Sequence, residues 1–131
     1  MSEIKTLAHI GVQTPDIETS IAFYTDVLGF TLGQRIDHGN MQIAFISAGA
    51  CTIELICPED KASVLARGNG KIDHIALAVE DLAGAIERLQ SHGVEFDSAE
   101  PIQLPNFGEN GVQVIFFSAP TGERLELCQA Y

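Results

Sequence analysis

The sequence predicts an α+β fold built from two tandem modules, each with the order strand, helix, strand, strand, strand. The first observation is an internal repeat, because His9–Val12 reads His-Ile-Gly-Val and His74–Leu77 reads His-Ile-Ala-Leu, at an offset of 65 residues. The second is an acidic residue suited to a helix N-cap, Asp16 or Asp81, placed after each repeat and before an amphipathic stretch. The third is a series of short apolar segments after each stretch, which favours strands. Helices confined to one face of a sheet follow from this order.

Each predicted helix carries one apolar stripe and ends at a glycine. The stripes comprise Ile17, Ile21, Tyr24, Val27 and Leu28 before Gly29, and Leu82, Ile86 and Leu89 before Gly93. The predicted strands are Leu7–Gln13, Thr31–Ile36, Gln42–Ser47, Cys51–Cys57, Ile72–Val79, Val94–Asp97, Val112–Ser118 and Arg124–Gln129. Turns are expected at residues 38–40, 48–50 and 120–123.

The chain of 131 residues is long enough for one domain with a real core and too short for two independent ones. We place module one at about residues 5–57, a linker at 58–70 and module two at about 71–130. Residues 100–111, rich in proline and glycine, form a long irregular loop of the kind that often covers a binding site.

Composition narrows the classes of partner. The formal net charge of −11 argues against nucleic acid and against anionic membrane surfaces. The N-terminal residues lack the pattern of a secretory signal, and no apolar run approaches membrane-spanning length. Cys51, Cys57 and Cys128 are odd in number and lack CxxC spacing, so we expect buried, reduced thiols. These features predict a cytoplasmic protein.

Four residues of metal-ligand type recur at equivalent strand positions. Alternation along a strand places His9 and His74 on the face opposite the helix, where small neighbours leave room for a ligand. Glu54 and Glu126 lie in the last strand of each module, between apolar residues that face the other way. A glutamate buried there without a partner is costly, and its repetition indicates a cation.

Two imidazoles and two carboxylates suit one divalent ion such as Zn, Ni, Co, Fe or Mn. The alternative is structural, with each glutamate on a solvated strand face and each histidine hydrogen-bonded in the core. We favour the metal because a duplication arranges all four residues. The other two histidines favour structural roles, because His38 belongs to a turn and His92 lies at a helix C-terminus, where a cation suits the dipole.

Three passages resemble the vicinal oxygen chelate superfamily, which includes glyoxalase I, methylmalonyl-CoA epimerase, extradiol dioxygenases and bleomycin resistance proteins. They are His9–Val12 with the following Ser20–Phe30, Asp73–Asp81, and Pro120–Leu127. The resemblance spans the chain and implies paired βαβββ modules that form a half-barrel cup around one metal ion. It places the metal ligands at His9, Glu54, His74 and Glu126.

The ligand set implied by the resemblance favours the glyoxalase I group, because the epimerase has Gln at the place of Glu54 and dioxygenases use two His and one Glu. Glutathione-dependent glyoxalase I usually carries Arg and Asn where this chain has Gln13 and Pro58. A different thiol conjugate, or an unrelated small oxygenated substrate, therefore stays open. The basic side chains that could meet a ligand carboxylate are Arg35, Arg67, Arg88, Arg124 and the lysines.

The expected reaction is a lyase or isomerase reaction, in which a proton moves between neighbouring carbons of a small 2-oxo or hemithioacetal substrate through a metal-stabilised enediolate. Glu126 and Glu54 are the candidate catalytic residues, and the resemblance favours Glu126 as the base. The alternatives are an acyl-thioester epimerase, a dioxygenase and a non-catalytic binding protein. The resemblance also implies a homodimer, with the site completed within one chain or across two.

Overall fold

The computed structural model describes residues 3–27, 29–118 and 124–131. The chain divides into two compact units, one formed by His9–Asp73 and the other by Met1–Ala8 together with His74–Tyr131. Leu28 of the first predicted apolar stripe and the predicted turn at 120–123 lie outside the described residues. None of the described helices is long and apolar enough to cross a membrane.

The described residues form eight strands, three α-helices and one π-helical segment. The strands are β1 Ile4–Gln13, β2 Thr31–His38, β3 Met41–Ala48, β4 Cys51–Pro58, β5 Ile72–Val79, β6 Ile102–Leu104, β7 Val112–Ser118 and β8 Arg124–Ala130. The helices are α1 Ile17–Ala22, α2 Lys61–Ala66 and α3 Leu82–Ser91, and the π-helical segment is Phe23–Val27. This arrangement confirms the predicted α+β class and the order of strand, helix, strand, strand, strand in each module.

In the unit His9–Asp73, the strands lie in the order β2, β3, β4, β1, with β1 parallel to β4 and the other pairs antiparallel. The Asp16 carboxylate accepts a hydrogen bond from the Thr19 N–H at 3.1 Å, which confirms the predicted cap of α1. The helix packs on one sheet face, in a cluster comprising Ile17, Ile21, Ala44, Ile46, Leu55 and Cys57. The opposite face, which we call the non-helical face, carries the candidate ligands.

The second unit repeats this arrangement, with β5 parallel to β8 and the order β5, β8, β7, β6. The Asp81 carboxylate accepts from the Gly84 N–H at 3.0 Å and caps α3 as predicted. The helix covers a buried cluster of Val79, Leu82, Ala85, Ile115, Phe117 and Leu127. Ile86 and Leu89, also predicted to face the sheet, pack against this cluster.

One predicted strand is wrong. Residues 94–97 form only an isolated bridge, between Phe96 and Phe117, whose rings lie 5.4 Å apart. This segment is held by packing on the core rather than by a hydrogen-bonded ladder. The edge strand is instead β6, which pairs with β7 inside the predicted irregular loop. Prolines at 101 and 105 flank β6 and limit its length, which concealed it in the sequence.

The first helix and the linker also differ from prediction. Val27 was predicted to lie on the apolar stripe of the first helix but is 68% exposed. The π-helical segment widens the last turn and so rotates Val27 away from the sheet. Residues 61–66 of the predicted linker form α2, capped by the Asp60 carboxylate. The three cysteines form no disulfide, as predicted, but only Cys57 is buried: Cys51 is exposed and Cys128 is partly buried.

Candidate metal centre

The structure brings His9 together with Glu54. Strands β1 and β4 run parallel, and Gly11 lies directly beside Glu54 in their register. His9 is two residues before Gly11 and therefore shares its face. The Nε2 atom of His9 lies 3.3 Å from Oε1 of Glu54, and their side chains are only 10% and 7% exposed. Two polar groups of metal-ligand type are thus paired inside the first module.

His74 and Glu126 form the equivalent pair in the second unit. Ala76 lies beside Glu126 in the register of β5 and β8, and His74 is two residues before Ala76. The Nε2 atom of His74 lies 3.0 Å from Oε1 of Glu126, with side-chain exposures of 5% and 6%. The duplication seen in the sequence is therefore a duplication of a buried histidine–glutamate contact.

Local sequence explains why each pair forms. The residue beside each glutamate is small, Gly11 or Ala76, so the imidazole two positions earlier has room next to the carboxylate. The next residue along each last strand, Leu55 or Leu127, turns to the other face and is 1% or 0% exposed in the core. Burial of these leucines fixes the register, and the register fixes the direction of both glutamates.

A phenylalanine ring packs against each histidine–glutamate pair, and neither phenylalanine was predicted from the sequence. Phe45 lies directly opposite Glu54 in the β3–β4 ladder, and Phe116 lies opposite Glu126 in the β7–β8 ladder. Each ring meets the imidazole of its module edge to face, with centroids 5.6 Å apart for His9–Phe45 and 5.7 Å for His74–Phe116. Such contacts hold the imidazole plane and keep that side of the pair apolar.

The donor set fits a divalent metal ion. A buried carboxylate is stable only with a cation or several hydrogen bonds around it, and each glutamate here lies against an imidazole nitrogen. Imidazole and carboxylate together suit ions of intermediate softness. Each histidine–glutamate pair therefore consists of residue types that could hold such an ion.

Gln13 and Pro58, which differ from the residues usual in glutathione-dependent glyoxalase I, both make contacts within the unit His9–Asp73. The side-chain amide of Gln13 donates to Oδ1 of Asp73 at 2.7 Å, and the carbonyl of Pro58 accepts from Lys61. His38 is the exposed last residue of β2, paired with Met41, rather than part of the predicted turn, and His92 is the C-cap residue at the predicted C-terminus of α3. In the loop of residues 100–111, Phe107 is buried.

The arginines divide by location. Arg35 forms an ion pair with Glu18; their hydrogen bond raises the pKa of the Arg35 guanidinium and lowers that of the Glu18 carboxyl. Arg67 contacts Asp73 at 3.4 Å, and Arg88 lies on the exposed side of α3. Arg124 stacks over the ring of Phe116, with its central guanidinium carbon 3.7 Å from the ring centroid. Arg124 is thus the arginine that lies beside a candidate ligand pair.

Comparison with known proteins gives the family. Residues 6–127 match the model of the Glyoxalase/Bleomycin resistance protein/Dioxygenase superfamily. A probable lactoylglutathione lyase of Synechocystis is 31% identical, covering 94% of each chain. An ethylmalonyl-CoA/methylmalonyl-CoA epimerase of Cereibacter sphaeroides is 33% identical, covering 86% of this chain and 87% of the relative.

A solved structure agrees with these relatives. The methylmalonyl-CoA epimerase of Mycobacterium tuberculosis superposes with a TM-score of 0.80 and 26% identity, covering 98% of this chain and 89% of that one. The family match covers nearly the whole chain, including both histidine–glutamate pairs. This chain therefore belongs to the glyoxalase/bleomycin resistance protein/dioxygenase superfamily.

Proposed function

We propose that His9, Glu54, His74 and Glu126 together hold one divalent metal ion. The duplicated contact supports this, because two equivalent pairs, each a histidine on a first strand and a glutamate on a last strand, supply four ligands of compatible type. The family match supports it as well, because it spans residues 6–127 and so includes all four of these residues. The identity of the ion, among Zn, Ni, Co, Fe and Mn, is left to measurement.

The reaction that we propose is transfer of a proton at a carbon beside a carbonyl group. When bound, the ion would supply Lewis-acid stabilisation of the negative charge that develops on the substrate oxygens. Glu126, loosened from the metal while substrate is bound, would act as the base that takes this proton; in an isomerase it would then return the proton to the neighbouring carbon. The Nε2 atom of His74, 3.0 Å from Oε1 of Glu126, would orient this carboxylate.

Phe45 and Phe116 would exclude water from this chemistry. Each ring lies opposite a proposed ligand glutamate and against a proposed ligand histidine. An apolar wall there strengthens electrostatic interactions by lowering the local dielectric. It also protects a reactive carbanion-like species from reaction with solvent.

A glyoxalase-like lyase or isomerase that acts on a small 2-oxo or hemithioacetal substrate is the first candidate. Its support is the probable lactoylglutathione lyase relative, together with a glutamate at position 54. An acyl-thioester epimerase is the second candidate. Its support is the 33% identical epimerase relative and the similar epimerase structure. Both reactions begin with abstraction of a proton beside a carbonyl group. The isomerase returns the proton to the neighbouring carbon, whereas the epimerase returns a proton to the same carbon from the opposite face.

Turnover separates the two candidates. Metal-loaded protein is incubated in D2O with the hemithioacetals of methylglyoxal formed with glutathione and with other thiols, and separately with methylmalonyl-CoA. The first candidate predicts thioester product from a hemithioacetal, and the second predicts deuterium at the α-carbon of the acyl-CoA. Absence of both products would contradict the proposed reaction. Glu126→Gln should abolish whichever product appears.

A further inference from the structure

Arg124 marks a difference between the two modules close to their histidine–glutamate pairs. In β4, Thr52 stands two residues before Glu54, and in β8, Arg124 stands two residues before Glu126. Both positions lie opposite a serine, Ser47 or Ser118, in their ladders. Residues shared by the two modules serve a function common to both, so the residue that breaks the match is a candidate for substrate selection.

Geometry places Arg124 on the same face of β8 as Glu126. Alternation brings residues two apart to one side of a strand, at a Cα separation of about 7 Å. The contact of Arg124 with the Phe116 ring agrees, because Phe116 lies opposite Glu126 and shares its face. Arg124 is exposed at the end of β8, whereas Glu126 is buried. The guanidinium therefore lies toward solvent from the proposed base.

Stacking on Phe116 leaves the guanidinium suited to hydrogen bonding. The guanidinium carbon lies 3.7 Å from the ring centroid, a distance typical of a cation–π contact, which uses the face of a guanidinium rather than its in-plane N–H groups. A planar fork of this kind matches a carboxylate in a bidentate arrangement. The local positive charge also matters, because a chain with net charge −11 repels anions in general.

We infer that Arg124 binds a carboxylate of the substrate, and that the substrate is an anion with this group a few bonds from the carbons that react. Arg124 is thus a specificity-determining residue, and Phe116 is a positioning residue that holds its guanidinium. This inference rests on the proposed function, because it takes the reacting carbons to lie beside Glu126. It narrows the substrate class to 2-oxo or acyl compounds with a separate carboxylate.

Two acids of equal chain length test the inference by titration calorimetry on zinc-loaded protein. 2-Oxoglutarate and 2-oxopentanoate share the 2-oxo acid group and differ in the distal carboxylate. The wild type should bind 2-oxoglutarate about tenfold more tightly, since a hydrogen bond to a charged group contributes that much affinity. Arg124→Gln should remove this preference, because it weakens binding of 2-oxoglutarate but not of 2-oxopentanoate. Phe116→Leu should reduce the preference although the charge of Arg124 is retained.

Arg88→Gln is the matched control, because it makes the same charge change on the exposed side of α3 in the same unit. It should keep the preference for the diacid. Equal affinities in the wild type, a preference that survives Arg124→Gln, or no binding of either acid would each overturn the inference. Failure of the proposed function is separable, because it would appear as zinc bound to Glu126→Gln as tightly as to the wild type.

Discussion

The Nε2 atom of His74 lies 3.0 Å from Oε1 of Glu126, with both side chains nearly inaccessible to solvent. His9 and Glu54 repeat this contact at 3.3 Å. A buried imidazole–carboxylate contact can be purely structural, as a hydrogen bond within a core. Its occurrence twice, at equivalent strand positions of the two modules, is the basis for the proposed metal site.

Replacement of Glu126 by glutamine should preserve the fold and abolish turnover. The amide has nearly the same shape, but it cannot accept the substrate proton and is a weaker metal ligand. Far-UV circular dichroism checks the fold, and product formation checks activity. Glu87→Gln, at an exposed position on α3, is the control and should behave as the wild type. Full turnover with normal metal content in the Glu126 variant would refute its assigned role.

Removal of metal should lower stability. An ion that binds only the folded state adds about 2.7 kcal/mol to the free energy of unfolding at a concentration one hundred times its dissociation constant. Urea denaturation with and without a chelator measures the difference. Glu54→Gln and Glu126→Gln should each lose about half of it or more, because removal of one carboxylate ligand weakens binding at least about tenfold, which lowers the contribution to about 1.4 kcal/mol. If the chelator lowers the free energy of unfolding of both variants as much as that of the wild type, the ion binds elsewhere.

Truncation of Leu127 should destabilise the second unit strongly. Its side chain is 0% exposed and packs in the cluster under α3. Leu127→Ala should therefore cost about 2–5 kcal/mol of unfolding free energy, because it leaves a cavity. Leu65→Ala, at a position 64% exposed, should change stability by about 0.5 kcal/mol or less. Comparable effects of the two substitutions on urea midpoints would argue against the described core.

Stability should decrease at low pH partly through Asp16. The hydrogen bond from the Thr19 N–H lowers the pKa of its carboxyl below the ordinary 3.8. A carboxyl with a lowered folded-state pKa stabilises the fold above its unfolded pKa, and this contribution is lost as the pH falls through the folded value. Asp16→Asn keeps a capping oxygen but cannot titrate. Melting temperatures between pH 2 and pH 5 should therefore decline less steeply in the variant; parallel curves would contradict this assignment.

The sequence predicted the paired histidines and glutamates because strand alternation has a fixed period of two. Once Ile53 and Leu55 are assigned to the core, Glu54 must face the other way, and the same holds for Glu126. The helix caps were predictable for a similar reason, since Asp16 and Asp81 act on N–H groups only three residues away.

Features that depend on pairing between distant segments were not predicted. Phe45 and Phe116 reach the site through antiparallel registers, and register is set by the packing of whole strands rather than by local pattern. The edge strand β6 was missed because prolines at 101 and 105 flank it and keep it short. The predicted strand at residues 94–97 was wrong because Phe96 packs on Phe117 outside any ladder. The position of Arg124 over Phe116 follows from the same register.

Stoichiometry of metal binding tests the central claim most directly. Chelator-treated protein is titrated with zinc, and bound metal per chain is measured by elemental analysis for the wild type, Glu54→Gln and Glu126→Gln. A single site made from both pairs predicts one ion per chain in the wild type and at least about tenfold weaker binding in either variant. No zinc binding by the wild type, or two ions per chain with one retained in each variant, would contradict a shared site.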